Sequence, residues 1–94
     1  MSETTACGCR VVYAGRVQGV GFRATAVTLA QEFPVYGWVR NRADGRVELL
    51  AEGEREQIEA FLAAVRNYWG AAILDEQLDW RPATGTYRDF RAIR

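Results

Sequence analysis

The run Gly15-Arg16-Val17-Gln18-Gly19-Val20-Gly21-Phe22-Arg23 has the makings of an anion cradle. Glycines let a backbone curl and let a ligand come close. Where such a turn hands a strand over to a helix, successive peptide N–H groups point into a concavity. The helix N-terminus adds donors of its own. Places of this kind bind phosphate. Arg23, in the first turn of the predicted helix, adds a planar fork that can grip two phosphate oxygens at once. Taken alone, the segment also reads as a tight turn with a solvated arginine. Two other glycine-loop chemistries fail on spacing. Gly19-x-Gly21 has no third glycine three residues on, and nothing matches G-x-x-x-x-G-K-[ST].

A second stretch, Gly37-Trp38-Val39-Arg40-Asn41 followed by Arg42-Ala43-Asp44-Gly45, offers a side-chain amide. Strand alternation puts Gly37, Val39 and Asn41 on one face, with Val39 inward beneath the helices. Asn41 then sits on the helix-covered side at the strand's end. A strand beginning at Val35 can run beside the first strand, bringing the amide near the glycine turn. An asparagine before a hairpin is also an ordinary turn former.

Periodicity supplies the scaffold around these residues. Val11, Tyr13, Gly15 and Val17 alternate along a strand from Cys9 to Gln18, after a polar tail over residues 1–8. Phe22, Ala26, Leu29, Ala30 and Phe33 form one helical stripe, which Pro34 stops. Val35 to Asn41 and Arg46 to Glu52 read as strands joined at Asp44-Gly45. Val47, Leu49 and Ala51 face one way. Ile58, Phe61, Leu62, Val65 and Trp69 mark a second amphipathic helix. Glu54 and Glu56 lie in its first turn, and Gly70 closes it. One interrupted strand is predicted around Ala72–Trp80, a loop over Pro82–Gly85 and a last strand over Tyr87–Arg94. The order βαββαβ predicts an α+β, ferredoxin-like sandwich. Its four- to five-stranded antiparallel sheet has two helices on one face, in a single domain over residues 9–94.

Composition narrows the chemistry. The chain of 94 residues has no histidine, which removes Ser-His and Cys-His pairs and most zinc sites. Its 12 basic residues are all arginine, so Schiff-base lysines are absent. The basic residues are balanced by 12 acidic ones, whereas a general nucleic-acid binder carries a basic excess. Cys7 and Cys9 have no other soft ligands with which to hold a metal. No apolar run is long enough to span a membrane, and the N-terminus lacks the regions of a signal peptide, so the cytoplasm is expected. Arginines 10, 16, 23, 40, 42 and 46 outnumber Glu3, Glu32 and Asp44 in the first half, an asymmetry that can steer anions.

Val17-Gln18-Gly19-Val20-Gly21-Phe22-Arg23, then Gly37-Trp38-Val39-Arg40-Asn41 and Asp44-Gly45-Arg46-Val47-Glu48, closely resemble the acylphosphatases. Both blocks stand in the right order at about the right separation, and the resemblance is good over residues 9–69. It implies a ferredoxin-like α/β sandwich and hydrolysis of the carboxyl–phosphate bond of small acyl phosphates. It implies that Arg23 binds the phosphoryl group, with the main-chain amides of Gln18, Gly19, Val20, Gly21, Phe22 and Arg23 as cradle. It implies that Asn41 orients the attacking water. No metal or cofactor is implied. A small cytoplasmic monomer with no nucleic-acid or membrane partner is expected. The chain departs from the family pattern near its end: Ala71 follows Gly70, and Ala92 in Phe90-Arg91-Ala92-Ile93-Arg94 takes an isoleucine slot or marks one extra residue. A different class, a non-catalytic ferredoxin-like module for RNA or a small anionic effector, would use Tyr36 and Trp38 on an open sheet face. The block of basic and aromatic residues expected of an RNA-binding sheet is missing. A carbamoyl-phosphate domain of hydrogenase maturation is a further relative, and the chain's small size favours the free-standing enzyme.

Overall fold

The computed structural model describes residues 6–94. In chain order the elements are β1 (Ala6–Gly15), α1 (Phe22–Ala30), β2 (Tyr36–Asn41), β3 (Val47–Glu54), α2 (Arg55–Trp69), one 3-10 turn (Gly70–Ala72), β4 (Ile73–Pro82) and β5 (Phe90–Ile93). The five strands form one sheet in the order β4-β1-β3-β2-β5. Both helices pack on one face of it, the ferredoxin-like arrangement expected from the pattern.

Several particulars differ from the expectation. β5 runs parallel to β2 rather than antiparallel. β4 lies at the far edge, antiparallel to β1. A chain leaving β4 must turn back along the sheet, and the strand it reaches, β2, already points that way. β1 starts at Ala6, so Ala6, Cys7 and Gly8 pair with β3 and β4 instead of forming a tail. α1 ends at Ala30, short of Phe33. Residues 31–34 turn ahead of the proline, although Phe33 still packs on Phe61 at 6.1 Å. β3, not β2, lies beside β1, so the amide of Asn41 reaches the glycine turn by another route than strand adjacency.

The core lies between sheet and helices. Cys9, Val11 and Tyr13 of β1 and Val47, Leu49 and Ala51 of β3 meet Ile58, Phe61, Leu62 and Val65 of α2. Burying such side chains is the main favourable term in folding, about 1.5–3 kcal/mol for each large one. β3 is buried on both faces. Glu48 and Glu52, on the side away from the helices, are each only 4% exposed. Arg10 and Arg40 close over Glu48. Glu52 accepts from the main-chain N–H groups of Thr84 and Gly85 at 2.8 and 3.1 Å, which anchors the crossing from β4 to β5. Cys7 and Cys9 are free, and burial pushes the Cys9 thiol up to about 11. Among the described residues no helix is long and apolar enough to cross a membrane.

Candidate active site

The glycine turn begins at a bulge. β1 and β4 keep step from Cys7 to Ala14, then slip by one residue so that Gly15 faces Ile73. A bulge bends its strand and re-aims the chain beyond it. Gly15 is required there, because a Cβ at that point would lie 2.2 Å from the Ala72 carbonyl oxygen. The Arg16 N–H then donates to the same oxygen at 2.9 Å.

The turn ends at Gly21, the N-cap of α1, in the left-handed conformation with φ 88°. Gly19 has φ 75°. No side chain caps the helix, and no acidic residue stands in its first turn. The positive end of the helix is therefore left without a neutralising group. The first bond into the helix runs from the Thr25 N–H to the Gly21 carbonyl at 3.0 Å. Among the described residues, none of the main-chain N–H groups from Gln18 to Ala24 donates to a protein acceptor. Phe22 explains how the turn can stay open yet ordered. Its ring is buried, 5.0 Å from Tyr13 and stacked on Trp69 at 5.2 Å, while its N–H stays in the loop.

A cavity of about 400 Å³ opens here, lined by Gly19, Gly21, Phe22, Arg23, Asn41 and Ala92, with Val17 and Ala24 completing the wall. Arg23 and Asn41 are thus brought together with Gly19, Gly21 and Phe22, three of the five other residues of the expected cradle. Gln18 and Val20 do not line it, and Val20 is 50% exposed. Arg23 forms no ion pair among the described residues. Its Nη1 donates to the Ile93 carbonyl oxygen at 3.2 Å, which fixes the guanidinium against β5. The Asn41 side chain has no hydrogen-bond partner among the described residues, leaving its amide available to a solvent molecule or a ligand.

Sequence reasoning missed two contributors. The Gln18 side chain, expected to serve only through its main-chain amide, donates through Nε2 to the carbonyl oxygens of Arg42 and Arg46, both at 2.8 Å. It ties the glycine turn to the base of the hairpin after Asn41, where the Arg42 N–H also donates to Arg46 O at 2.8 Å. Contacts across 24 and 28 residues leave no local pattern to read. Ala92 is the other. β5 pairs Phe90 with Gly37 and Ala92 with Val39, which settles its register and sets the small Ala92 side chain in the cavity wall.

No cluster of three or more metal-ligating side chains occurs among the described residues. A family model for acylphosphatases matches residues 9–92. The chain belongs to the acylphosphatase family. The acylphosphatase of Methylococcus capsulatus is 46% identical over 86 residues, covering 89% of this chain and 92% of that one. The crystal structure of the acylphosphatase from Bacillus subtilis matches with a TM-score of 0.86 at 35% identity, covering 94% of this chain and 99% of that one. Full-length HypF in its phosphate- and nucleotide-bound form matches with a TM-score of 0.84 at 25% identity, over 99% of this chain but 12% of that one. As an acylphosphatase the protein is a hydrolase that splits the carboxyl–phosphate bond of small acyl phosphates into carboxylate and inorganic phosphate.

Proposed function

We propose that Arg23 and the amides from Gln18 to Arg23 bind the phosphoryl group of the acyl phosphate, and that Asn41 holds the attacking water in line with it. The observation that carries this reading is the shared cavity. It joins Arg23, free of any carboxylate among the described residues, to an uncapped helix end and an unpartnered side-chain amide.

The chemistry needs little else. A carboxylate leaves readily and asks for no strong general acid, so the absence of histidine is no obstacle. Phosphoryl transfer passes through a loose transition state with charge spread over three equatorial oxygens. Catalysis then consists mainly of positioning and electrostatic stabilisation. A charge-assisted hydrogen bond contributes roughly 1.5–3 kcal/mol. Two that strengthen toward the transition state supply on the order of 10²–10⁴ in rate. Asn41 accepts from the water through its carbonyl oxygen but is too weak a base to remove a proton, and a phosphate oxygen of the substrate takes it. Apart from substrate titration, kcat is therefore expected to stay flat between about pH 5 and 8.

The same reading makes the protein a cytoplasmic monomer with no nucleic-acid partner. Its zero formal net charge speaks against a nucleic-acid partner, and its free thiols Cys7 and Cys9 fit a reducing compartment. The decisive experiment compares the purified protein with its Arg23→Ala variant on a synthetic aryl acyl phosphate. Hydrolysis is expected from the former and not from the latter. A variant that keeps its activity removes Arg23 from the reaction.

A further inference from the structure

On the sheet face away from the helices, one buried carboxylate gathers two arginines. Glu48 accepts from Nε of Arg10 and, at 2.9 Å, from Nε of Arg40, whose Nη2 also approaches to 2.6 Å. Burial pushes the Glu48 carboxyl up, but the bonds from Arg40 and Arg10 outweigh it and hold the group below the usual carboxylate range. The brace is thus charged at neutral pH. Neither terminal nitrogen of Arg10, nor Nη1 of Arg40, donates to a protein acceptor among the described residues. The two side chains are 34% and 42% exposed, so these outer N–H groups are open to a ligand while the inner edge is held.

Two hollows meet at this pair. One, of about 330 Å³, is walled by Arg10, Arg40, Arg42 and Asp44. The other, of about 390 Å³, is walled by Arg10, Arg40, Arg81, Arg94, Trp38 and the carboxylate of Glu48, among others. Arg10 and Arg40 border both and form the ridge between them. Asp44 is shared by Arg42 at 3.0 Å and Arg46 at 3.3 Å. Four arginines therefore face two carboxylates, Glu48 and Asp44, and both carboxylates are already engaged. This is where most of the basic excess of the first half of the sequence collects.

We propose that this face holds a second anion site, separate from the Arg23 cavity, for a small polyphosphate with two or more linked phosphoryl groups. Arg10 and Arg40 would stand between the groups and Arg42 at one end. Guanidinium forks match phosphate oxygens in pairs. Each hollow is roomy enough for one phosphate group, and a linked pair can place one group on either side of Arg10 and Arg40. The Arg40 guanidinium already lies 5.8 Å from the Trp38 ring centroid, so a base would compete with it for the ring, and the indole N–H is taken up by Tyr87 at 3.3 Å. A phosphate chain without a base is thus favoured over RNA. None of Arg10, Arg40 and Arg42 lines the Arg23 cavity.

The test is an NMR titration of the Arg23→Ala protein with inorganic pyrophosphate at constant ionic strength, so that the cavity contributes least. Expected are saturable shifts of the Arg10 and Arg40 Nε–H signals and of the Trp38 indole N–H. Pyrophosphate should bind about tenfold tighter than orthophosphate. Arg42→Gln, which alters a hairpin side chain paired only with Asp44, should weaken binding about tenfold by loss of one charge-assisted contact. Shifts confined to residues 18–24, shifts that grow without saturating, or equal affinity for the two anions would overturn the proposal. So would a short RNA that shifts these arginines when pyrophosphate does not.

Discussion

On the helix-covered side of the sheet Arg23 touches a main-chain carbonyl, whereas on the opposite face Arg10 and Arg40 both close on the buried Glu48. The residue type is the same and the surroundings set its use. A guanidinium bonded to a neutral carbonyl keeps its full charge for an incoming anion. One bonded to a carboxylate is partly neutralised, and it braces the sheet as well as offering its remaining edge. The cavity side also keeps an uncapped helix end, which adds to the field around Arg23 instead of opposing it.

Substitutions on the two faces should differ in kind and in size. Arg23→Ala is expected to lower kcat/KM for an aryl acyl phosphate by at least about 10²–10⁴ with the fold intact by circular dichroism. Arg23→Lys should recover little of it, because one ammonium cannot reproduce the fork. Asn41→Ala should reduce kcat by about 10² while inhibition by inorganic phosphate stays nearly constant. A parallel loss of phosphate inhibition would make Asn41 a binding group instead.

Gln18→Ala probes the cavity side more finely, since it removes two hydrogen bonds that join the cradle to the Asn41 hairpin without touching the cavity wall. At about 1 kcal/mol for each neutral bond, kcat/KM should fall by up to about thirtyfold. Gln18→Glu, which cannot donate to either carbonyl, should not restore it. Wild-type kinetics for Gln18→Ala would show that the cradle holds its shape unaided.

The smallest effect on the reaction is expected from the opposite face. Glu48→Gln should instead cost about 1–3 kcal/mol of stability, read from the urea midpoint at pH 7. The carboxyl is held below its ordinary value of 4.5 in the folded protein. Its contribution is complete above that value and is lost as pH falls through the lower, folded one. Between pH 6 and 3 the wild type should therefore lose more of its urea resistance than Glu48→Gln does. Equal losses would mean that the brace contributes no pH-dependent stability.

The helix-covered core was legible because its residues repeat. Ile58, Phe61, Leu62 and Val65 keep the helical period, and Val47, Leu49 and Ala51 keep the strand period, so each element announced its inner face. β4 was harder to read. As an edge strand it needs no clean alternation, and Leu74 and Leu78 are exposed within it. The turn over residues 15–23 and Asn41 stood out by residue type. Their meeting in one cavity could not be deduced from neighbouring strands, since β3 intervenes between β1 and β2.

Element order, the helix-facing residues and the glycine turn over residues 15–23 were already written in the sequence, because periodicity and glycine conformation are local properties of a chain. Folding in three dimensions settled the rest. The direction of β5 was set by where β4 left the chain. The Gln18 tether, the Ala92 wall and the pairing of Arg10 and Arg40 with Glu48 depend on residues far apart in sequence. Such contacts arise only when strands and loops close in space, and no short-range pattern encodes their partners.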